Sequence, residues 1–227
     1  MVAAVIFLAM VVAGSGGAFA DGADGEDAAV NRLFDAFGKG GGAPLSEDAA
    51  ERQKLESLAR LNEAVRERLV AEVVMALDKD GRLPVYGDGD ITVYEFSDYQ
   101  CGYCRRVFSY LDAAAARGEV QIKVVELPVL GDTSREMAKA ALAAWRQGKY
   151  EQYHRFLMRA PPPKTDDDIA LLGEGLDADA GEISEILKSN FAVANLLGVQ
   201  GTPAFIINGR YIPGALREEQ FLRLIRE

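Results

Sequence analysis

The chain has 227 residues, which is enough for one large domain or two small ones with a sizeable core. Apolar residues make up 49% and charged residues 26%, and the net charge of -10 argues against nucleic-acid binding, which needs a basic face. The only cysteines are Cys101 and Cys104, and His154 is the only histidine. A disulfide-rich scaffold and a four-ligand Cys/His zinc site within one chain are therefore excluded.

The N-terminus has the pattern of an export signal. Residues 2–12 are almost wholly apolar, and residues 18–20 (Ala-Phe-Ala) form the small-x-small pattern that signal peptidase accepts. We predict a signal peptide over residues 1–20, cleaved after Ala20, and a periplasmic or secreted protein. Because no Lys or Arg precedes the apolar run, an uncleaved membrane anchor is the alternative.

Two segments precede the first predicted strand. Residues 21–45 are acidic and then glycine-rich, which predicts a flexible segment. Residues 46–83 predict a long helical extension that ends at Asp80-Gly81 and Pro84. Its apolar residues recur every three or four positions: Leu55, Leu58, Leu61, Val65, Leu69, Val73 and Leu77. Such a stripe needs a partner. It either packs on the following domain or forms a coiled coil with a second copy through residues 46–79.

Residues 84–227 predict an α/β domain. Strands over 91–96 and 120–125 flank a helix that begins near Cys101, which gives a β-α-β unit. A helical insert follows at about 131–197, and residues 165–168 (Thr-Asp-Asp-Asp) resemble the cap of one of its helices. Strands over 204–207 and 210–212 then flank Asn208-Gly209, which is a strong hairpin signal, before a closing helix.

The two cysteines carry the predicted chemistry. At positions i and i+3 of a helix start, Cys101 and Cys104 lie on one face and are close enough to form a disulfide. Backbone N–H groups and the helix dipole point at Cys101 and favour its thiolate, and Arg105 and Arg106 add positive charge nearby. We predict thiol–disulfide exchange in which the Cys101–Cys104 disulfide is the redox group and no further cofactor or metal takes part.

Two further positions support this chemistry. Glu95 lies inside an apolar strand, where burial would raise its pKa and suit it to exchange a proton with Cys104. A surface position at a strand edge is the alternative. Pro203 directly precedes a strand, and a cis Thr202–Pro203 bond would expose the Thr202 backbone to an extended substrate peptide. An ordinary trans proline is the alternative.

The residues around the cysteines are candidate substrate contacts. Tyr99 and Tyr103 flank the pair, and with Gly102 they predict an apolar rim for unfolded chains, although simple packing would explain the tyrosines equally well. His154 falls in a helical run far from Cys101 in sequence and has no paired ligand, so we predict a structural role for it.

Two motifs resemble those of a known family. Residues 95–104 (Glu-Phe-Ser-Asp-Tyr-Gln-Cys-Gly-Tyr-Cys) resemble the active-site segment of DsbA-like thioredoxin-fold proteins, and residues 198–205 (Gly-Val-Gln-Gly-Thr-Pro-Ala-Phe) resemble their cis-proline loop. The resemblance covers about residues 85–227 and is closest to the ScsC/BdbD-like branch. It implies a thioredoxin fold with an inserted helical domain and an N-terminal helical extension. It also implies an attacking Cys101, a buried Cys104, a buried acid at Glu95 and a cis Pro203.

The resemblance further implies a periplasmic enzyme that forms, reduces or isomerises disulfides in exported unfolded or misfolded proteins, with a membrane redox partner. The best-known oxidases carry Pro-His between the cysteines, whereas this chain carries Gly102-Tyr103, which argues against a very strong oxidant. Two alternatives from other classes stay open: a Cu(I)-binding dithiol protein, and an oligomeric chaperone-like surface protein with a vestigial redox site.

Overall fold

A computed structural model describes residues 47–161, 175–176 and 181–227. The predicted signal peptide, the segment 21–45 and the predicted cap at 165–168 lie outside the described residues. The chain divides into two units, Met1–Glu56 and Ser57–Glu227, and the second unit carries the sheet and both thiols. Within the described ranges, no helix is long and apolar enough to cross a membrane.

The elements follow the predicted order. In chain order they are α1 (Glu47–Asp80), β1 (Val85–Tyr86), β2 (Ile91–Ser97), α2 (Gly102–Ala116), β3 (Val120–Glu126), α3 (Asp132–Arg146), α4 (Tyr150–Arg159), α5 (Gly181–Leu197), β4 (Ala204–Ile207), β5 (Arg210–Pro213) and α6 (Glu218–Leu224). A β-α-β unit, a helical insertion of α3 to α5 and a β-β-α unit are thus confirmed.

The strands form one sheet in the order β1-β3-β2-β4-β5. Strands β2 and β3 are parallel, joined by α2, and every other pair is antiparallel. In the parallel register Glu95 pairs with Val124, and Ser97 pairs with Glu126. The carboxyl ends of β2 and β3 therefore meet at one edge of the sheet, and Cys101 lies four residues after the end of β2.

The hairpin that the sequence predicts is present. Strands β4 and β5 are joined by Asn208 and Gly209, whose φ angles are 49° and 73°. Two consecutive positive φ angles are typical of a type I′ turn, whose twist matches that of the paired strands.

Side chains of β2 alternate between two apolar layers. Val93 belongs to a core cluster that also contains residues of α2, α3, α4 and α6, and we call this side of the sheet the thiol face. Tyr94 and Phe96 belong to a second cluster that also contains residues of α1 and α5, and we call this side the opposite face. Helix α5 also packs on α3 through Ile183 and Ile186.

The long helix is confirmed, and only its C-terminal half is buried. Val70, Val73 and Leu77 are buried on the opposite face of the sheet. The four apolar residues nearer its start are 47–60% exposed: Leu55, Leu58, Leu61 and Val65. The apolar stripe thus packs on its own domain along only part of its length.

Strands β2, β3 and β5 each end one residue later than predicted, and three elements differ more from the sequence predictions. Strand β1 was not predicted, because two residues are too few to show a period; it pairs antiparallel with β3. The sequence pattern predicts two separate helical stretches, 182–187 and 191–197, whereas the structure has one continuous helix, α5, over Gly181–Leu197. Helix α6 is shorter than the closing helix that the sequence pattern predicts over residues 217–226.

Candidate active site

The turn from β2 into α2 positions the two cysteines. Cys101 is the N-cap of α2, with extended backbone angles, and the Cys101 carbonyl accepts a 3.1 Å hydrogen bond from the N–H of Arg105. The N–H of Cys104 donates to Cys101 Sγ at 3.4 Å. A sulfur at an N-cap receives N–H groups that have no partner within the helix, and these groups stabilise negative charge on it.

The two thiols differ in acidity. Both are free, and Cys104 is fully buried whereas Cys101 is 6% exposed. A hydrogen bond from the Cys104 thiol lowers the pKa of Cys101 to about 5, with further help from the Thr202 side chain and the N–H groups of Cys104 and Tyr103. Burial raises the pKa of Cys104 far above its usual range, as do its bond to Cys101 and the charge of Glu95. Cys101 is therefore the thiolate of the pair.

Glu95 is a buried acid on the thiol face, as the sequence predicts, so the alternative of a surface position is wrong. Its side chain is fully buried, and Oε1 accepts a 3.0 Å hydrogen bond from the Ser97 hydroxyl. Oε2 has no hydrogen-bond partner among the described residues. Burial raises the pKa of Glu95 to about 7, and the charge of Cys101 adds to this. A carboxyl with this pKa exchanges protons readily near neutral pH.

The cis-proline loop closes the other side of the site. The Thr202–Pro203 peptide bond is cis, as the resemblance implies, and Pro203 is buried at the start of β4. Cys101 Sγ lies 3.2 Å from the Thr202 carbonyl oxygen, which accepts a hydrogen bond from it when the thiol is protonated. The pairing of Phe96 with Ala204 holds this loop beside the end of β2. Two motifs that lie 101 residues apart in sequence are thus brought together.

Of the predicted rim residues, two lie at the surface and one does not. Gly102 is exposed, and Tyr103 is 58% exposed with the Arg106 guanidinium 4.8 Å from its ring centroid. Tyr99 is 1% exposed, so the prediction that it forms part of the rim is corrected. Its ring belongs to the apolar core, and its hydroxyl donates to Glu126 at 2.7 Å.

Arg105 does not stabilise the Cys101 thiolate by its charge, contrary to the sequence prediction. Its guanidinium donates to the backbone carbonyls of Tyr99 (2.6 Å), Met158 (3.2 Å) and Ala160. This ties the active-site loop to the end of α4. The lowered pKa of Cys101 comes from hydrogen bonds rather than from the neighbouring arginines.

Sequence reasoning missed Asp98, which anchors the loop before the cysteines. This buried carboxylate accepts four hydrogen bonds. Oδ1 receives the N–H of Gln100 and the Ser134 hydroxyl, both at 2.8 Å. Oδ2 receives the N–H groups of Val129 (2.8 Å) and Leu130 (3.1 Å). The loops that follow β2 and β3 are thereby fixed to each other and to the start of α3. The sequence signal that could have revealed Asp98 is an acidic residue directly after a buried strand.

Sequence reasoning also missed a buried polar cluster that contains Glu126, Tyr99, Tyr150 and His154. His154 is fully buried, and burial lowers its pKa to about 3, so it is neutral. Its ring centroid lies 5.2–5.4 Å from those of Tyr86, Tyr99, Phe108 and Tyr150. No group of three or more His, Cys, Asp or Glu side chains in the described ranges could hold a metal ion.

Comparisons with known proteins identify the family of the domain that carries this site. A family model described as a DSBA-like thioredoxin domain matches residues 92–226. A thioredoxin-like oxidoreductase from Silicibacter pomeroyi is 34% identical, with a TM-score of 0.59, over 64% of this chain and 91% of that one. A periplasmic thioredoxin-like protein from Salmonella enterica serovar Typhimurium is 30% identical, with a TM-score of 0.60, over 68% of this chain and 94% of that one.

A solved structure with lower sequence identity supports the fold alone. The catalytic domain of Proteus mirabilis ScsC is 24% identical, with a TM-score of 0.64, over 70% of this chain and 96% of that one. No match was found among curated protein sequences. The thioredoxin-like α/β fold with helical insertion and N-terminal helix, as predicted, is confirmed. With the cysteine pair, the cis-proline loop and the family match over residues 92–226, the chain belongs to the family of DSBA-like thioredoxin domains.

Proposed function

We propose that this protein exchanges thiols and disulfides in exported proteins through Cys101 and Cys104. The observation that carries the proposal is the unequal pair at one helix start: Cys101 has a lowered pKa and Cys104 a raised one. A low-pKa thiolate is both the attacking group and the better leaving group in exchange. Membership of the DSBA-like family and the oxidoreductase description of the Silicibacter pomeroyi relative support the same chemistry.

The oxidised protein would act as follows. A substrate thiolate attacks Cys101 Sγ, the Cys101–Cys104 bond breaks, and Cys104 leaves with the electron pair and takes a proton from Glu95. A second substrate thiolate then attacks the substrate sulfur of the mixed disulfide, and Cys101 leaves as a thiolate. Two electrons pass from the substrate dithiol to the protein. The substrate leaves as a disulfide, and Glu95 regains a proton from solvent.

The reduced protein would act in the other direction. The Cys101 thiolate attacks a substrate disulfide and displaces one substrate thiolate. Glu95 in its ionised form then removes the proton of Cys104, whose thiolate attacks Cys101 Sγ and releases the second substrate thiolate. Isomerisation follows when the released substrate thiolate attacks another substrate disulfide first. Glu95 therefore gives a proton in one direction and takes it in the other.

The substrate is proposed to be an extended, unfolded peptide. The Thr202 backbone lies beside Cys101, and an extended chain can pair with such a backbone by main-chain hydrogen bonds without regard to sequence. Exposed Gly102 and Tyr103 offer an open backbone and an apolar ring next to it. A Cβ at Gly102 would meet open space, so glycine there leaves the approach clear rather than relieving a clash.

We further propose a periplasmic location and a membrane redox partner that restores the working state of the cysteines. The apolar N-terminal run supports export, and the similar Salmonella enterica protein is described as periplasmic. We also propose that the protein self-associates through residues 46–79. The exposed apolar stripe of α1 supports this, since four such side chains along one helix are costly to leave in water.

Redox equilibrium of Cys101 and Cys104 in glutathione buffers tests the proposed function. A potential near -120 mV, roughly that of strong periplasmic oxidants, would make the protein a disulfide donor; a value towards roughly -200 mV or lower would make it an isomerase or reductase. A purified protein that holds stoichiometric copper against a weak chelator and shows no exchange would instead be a Cu(I)-binding dithiol protein. Full biological activity of Cys101→Ser would point to a chaperone-like role.

A further inference from the structure

The thiol face carries a second buried carboxyl that the exchange mechanism does not use. Glu126 is fully buried at the end of β3, directly opposite Ser97 of β2. Paired residues share a face, and Glu95 lies two residues before Ser97 on the same face. With about 4.8 Å between strands and about 3.3 Å per residue along them, the backbones of Glu95 and Glu126 are roughly 8 Å apart. The two acids are thus neighbours beneath α2.

The side chain of Glu126 acts as acceptor in the hydrogen bonds that it makes with described residues. Its Oε1 accepts from the hydroxyls of Tyr99 at 2.7 Å and Tyr150 at 2.8 Å. Each hydroxyl has one proton, so Tyr99 must accept at its oxygen from Nδ1 of His154, which lies 2.8 Å away. This assigns the Nδ1–H tautomer to the neutral histidine and leaves its Nε2 without a partner among the described residues. Glu126 is the final acceptor of the cluster.

Among the residues that the structure describes, no cation is in contact with the carboxyl of Glu126. The described titratable groups that face it are Tyr99, Tyr150, Glu95 and Asp98, with His154 behind the tyrosines. Its Oε2 has no hydrogen-bond partner among the described residues. Burial raises the pKa of Glu126 to about 8, and the charges of Glu95 and Asp98 add to this against the two tyrosine bonds. Because the charge of Glu95 opposes that of Glu126, the two acids lose their protons in sequence.

We propose that Glu126 is a positioning residue of the redox site: a second buried acid that keeps its proton while Glu95 releases one, and so sets how readily Glu95 serves Cys104. This inference rests on the proposed role of Glu95 in exchange. When Glu95 has given its proton to Cys104, a protonated Glu126 limits this face to one carboxylate. When Glu126 also ionises, the added negative charge opposes the departure of Cys104 as a thiolate, so exchange by the oxidised protein slows at alkaline pH.

Infrared spectroscopy of the purified protein counts these protons without using activity. Ordinary carboxyls are ionised at pH 6, so the carboxylic-acid C=O bands that disappear between pH 6 and pH 9 belong to buried acids. We expect two such bands in the wild type, one absent from Glu95→Gln and the other absent from Glu126→Gln. In Glu95→Gln the remaining band should titrate at lower pH than in the wild type. A single band in the wild type, or both bands in Glu126→Gln, would overturn the proposal.

The pH profile of exchange then tests the link to the cysteines. Disulfide transfer by the oxidised protein should fall in two steps as pH rises, the first as Glu95 ionises and the second, which we call the alkaline inflection, as Glu126 ionises. We expect the alkaline inflection alone to disappear in Glu126→Gln. Tyr150→Phe is the matched control: it keeps the acid and removes one bond that lowers its pKa, so the inflection should move to higher pH. A merely structural role would lower stability in both variants and leave the inflection in place, which would contradict the proposal. If Glu126→Gln does not fold, the position of the alkaline inflection in Tyr150→Phe still tests the role of Glu126.

The proposed function and this inference can fail separately. A wild type without exchange would refute the proposed function, whereas the number of infrared bands tests Glu126 as a second buried acid whether or not exchange occurs.

Discussion

The two faces of the central sheet bury different kinds of groups. On the opposite face, helices α1 and α5 cover an apolar layer that includes Val73, Phe96 and Ile206. On the thiol face, the fully buried groups include two carboxyls, Glu95 and Glu126, as well as the only histidine. Burying a carboxyl is unfavourable unless it stays protonated or is well bonded. The comparison indicates that one face mainly contributes apolar stabilisation, whereas the other buries titratable groups at an energetic cost.

The largest expected effect is the loss of the attacking thiolate from the thiol face. Cys101→Ser should reduce exchange to the uncatalysed background, because the low-pKa sulfur is the group that substrates meet. Cys104→Ser is the matched variant: it keeps the attacking sulfur and should accumulate mixed disulfides with substrates. Both are measured by refolding of a reduced test protein and by non-reducing electrophoresis. Equal amounts of mixed disulfide in the two variants would contradict the division of roles.

A substitution on the opposite face should change stability and leave the chemistry alone. Ile206→Ala removes a buried side chain from the apolar layer, so the free energy of unfolding should fall by about 2–5 kcal/mol. Denaturant unfolding measures this. In the same folded protein, the pKa of Cys101, followed by thiolate absorbance against pH, should match that of the wild type. A shifted thiol pKa would show that the two faces are coupled more closely than we expect.

Glu95→Gln tests separately how the buried acid affects stability and how it affects the rate of exchange. The pKa of Glu95 is raised in the folded state, so its contribution to stability is complete below the ordinary pKa of 4.5 and is lost as pH rises through about 7. Relative to the wild type, the variant should therefore gain on the order of 3 kcal/mol in the free energy of unfolding between pH 4.5 and pH 8. Unfolding at several pH values measures this difference.

The same variant should exchange more slowly, by at least about tenfold at neutral pH, because proton transfer by a positioned acid is lost. The control is the rate at which reduced protein is alkylated at Cys101, which depends on that thiolate and not on proton delivery to Cys104. Slower exchange with no pH-dependent gain in stability would mean that Glu95 is not a buried acid with a raised pKa.

The smallest effect on the site is expected from the exposed half of α1. The double variant Leu58→Lys/Leu61→Lys should lower the molar mass of any oligomer to that of a monomer, since it places charge in the apolar stripe. Asn62→Lys, which adds one charge on an exposed neighbouring position, is the control. Sedimentation measures the mass, and the redox potential should stay unchanged. An unchanged mass in the double variant would refute self-association through the stripe.

Much of the architecture could be predicted because its signals are local. The β-branched run over residues 91–96, the Asn208-Gly209 turn and the stripe of α1 each reflect a short-range preference of the backbone. Strand β1 could not be predicted, since its two residues gain their hydrogen bonds only from β3. The sequence likewise did not show where the stripe of α1 is covered, because periodicity reveals an apolar side of a helix and not what packs on it.

The same distinction between local signals and long-range contacts applies to the candidate site. The sequence by itself determined the pair Cys101 and Cys104 and marked Glu95 and Pro203 as candidates, because these signals depend on residue type and on spacing within single segments. Only the tertiary structure decided that Glu95 is buried and that the Thr202–Pro203 bond is cis. Only the tertiary structure placed Tyr99 beneath the site, through hydrogen bonds to residues 27 and 55 positions away. It also revealed Asp98 as a fully bonded anchor and Glu126 as a second buried acid. The physical reason is that burial and hydrogen bonding set the protonation of a side chain, and both arise from neighbours that folding brings together.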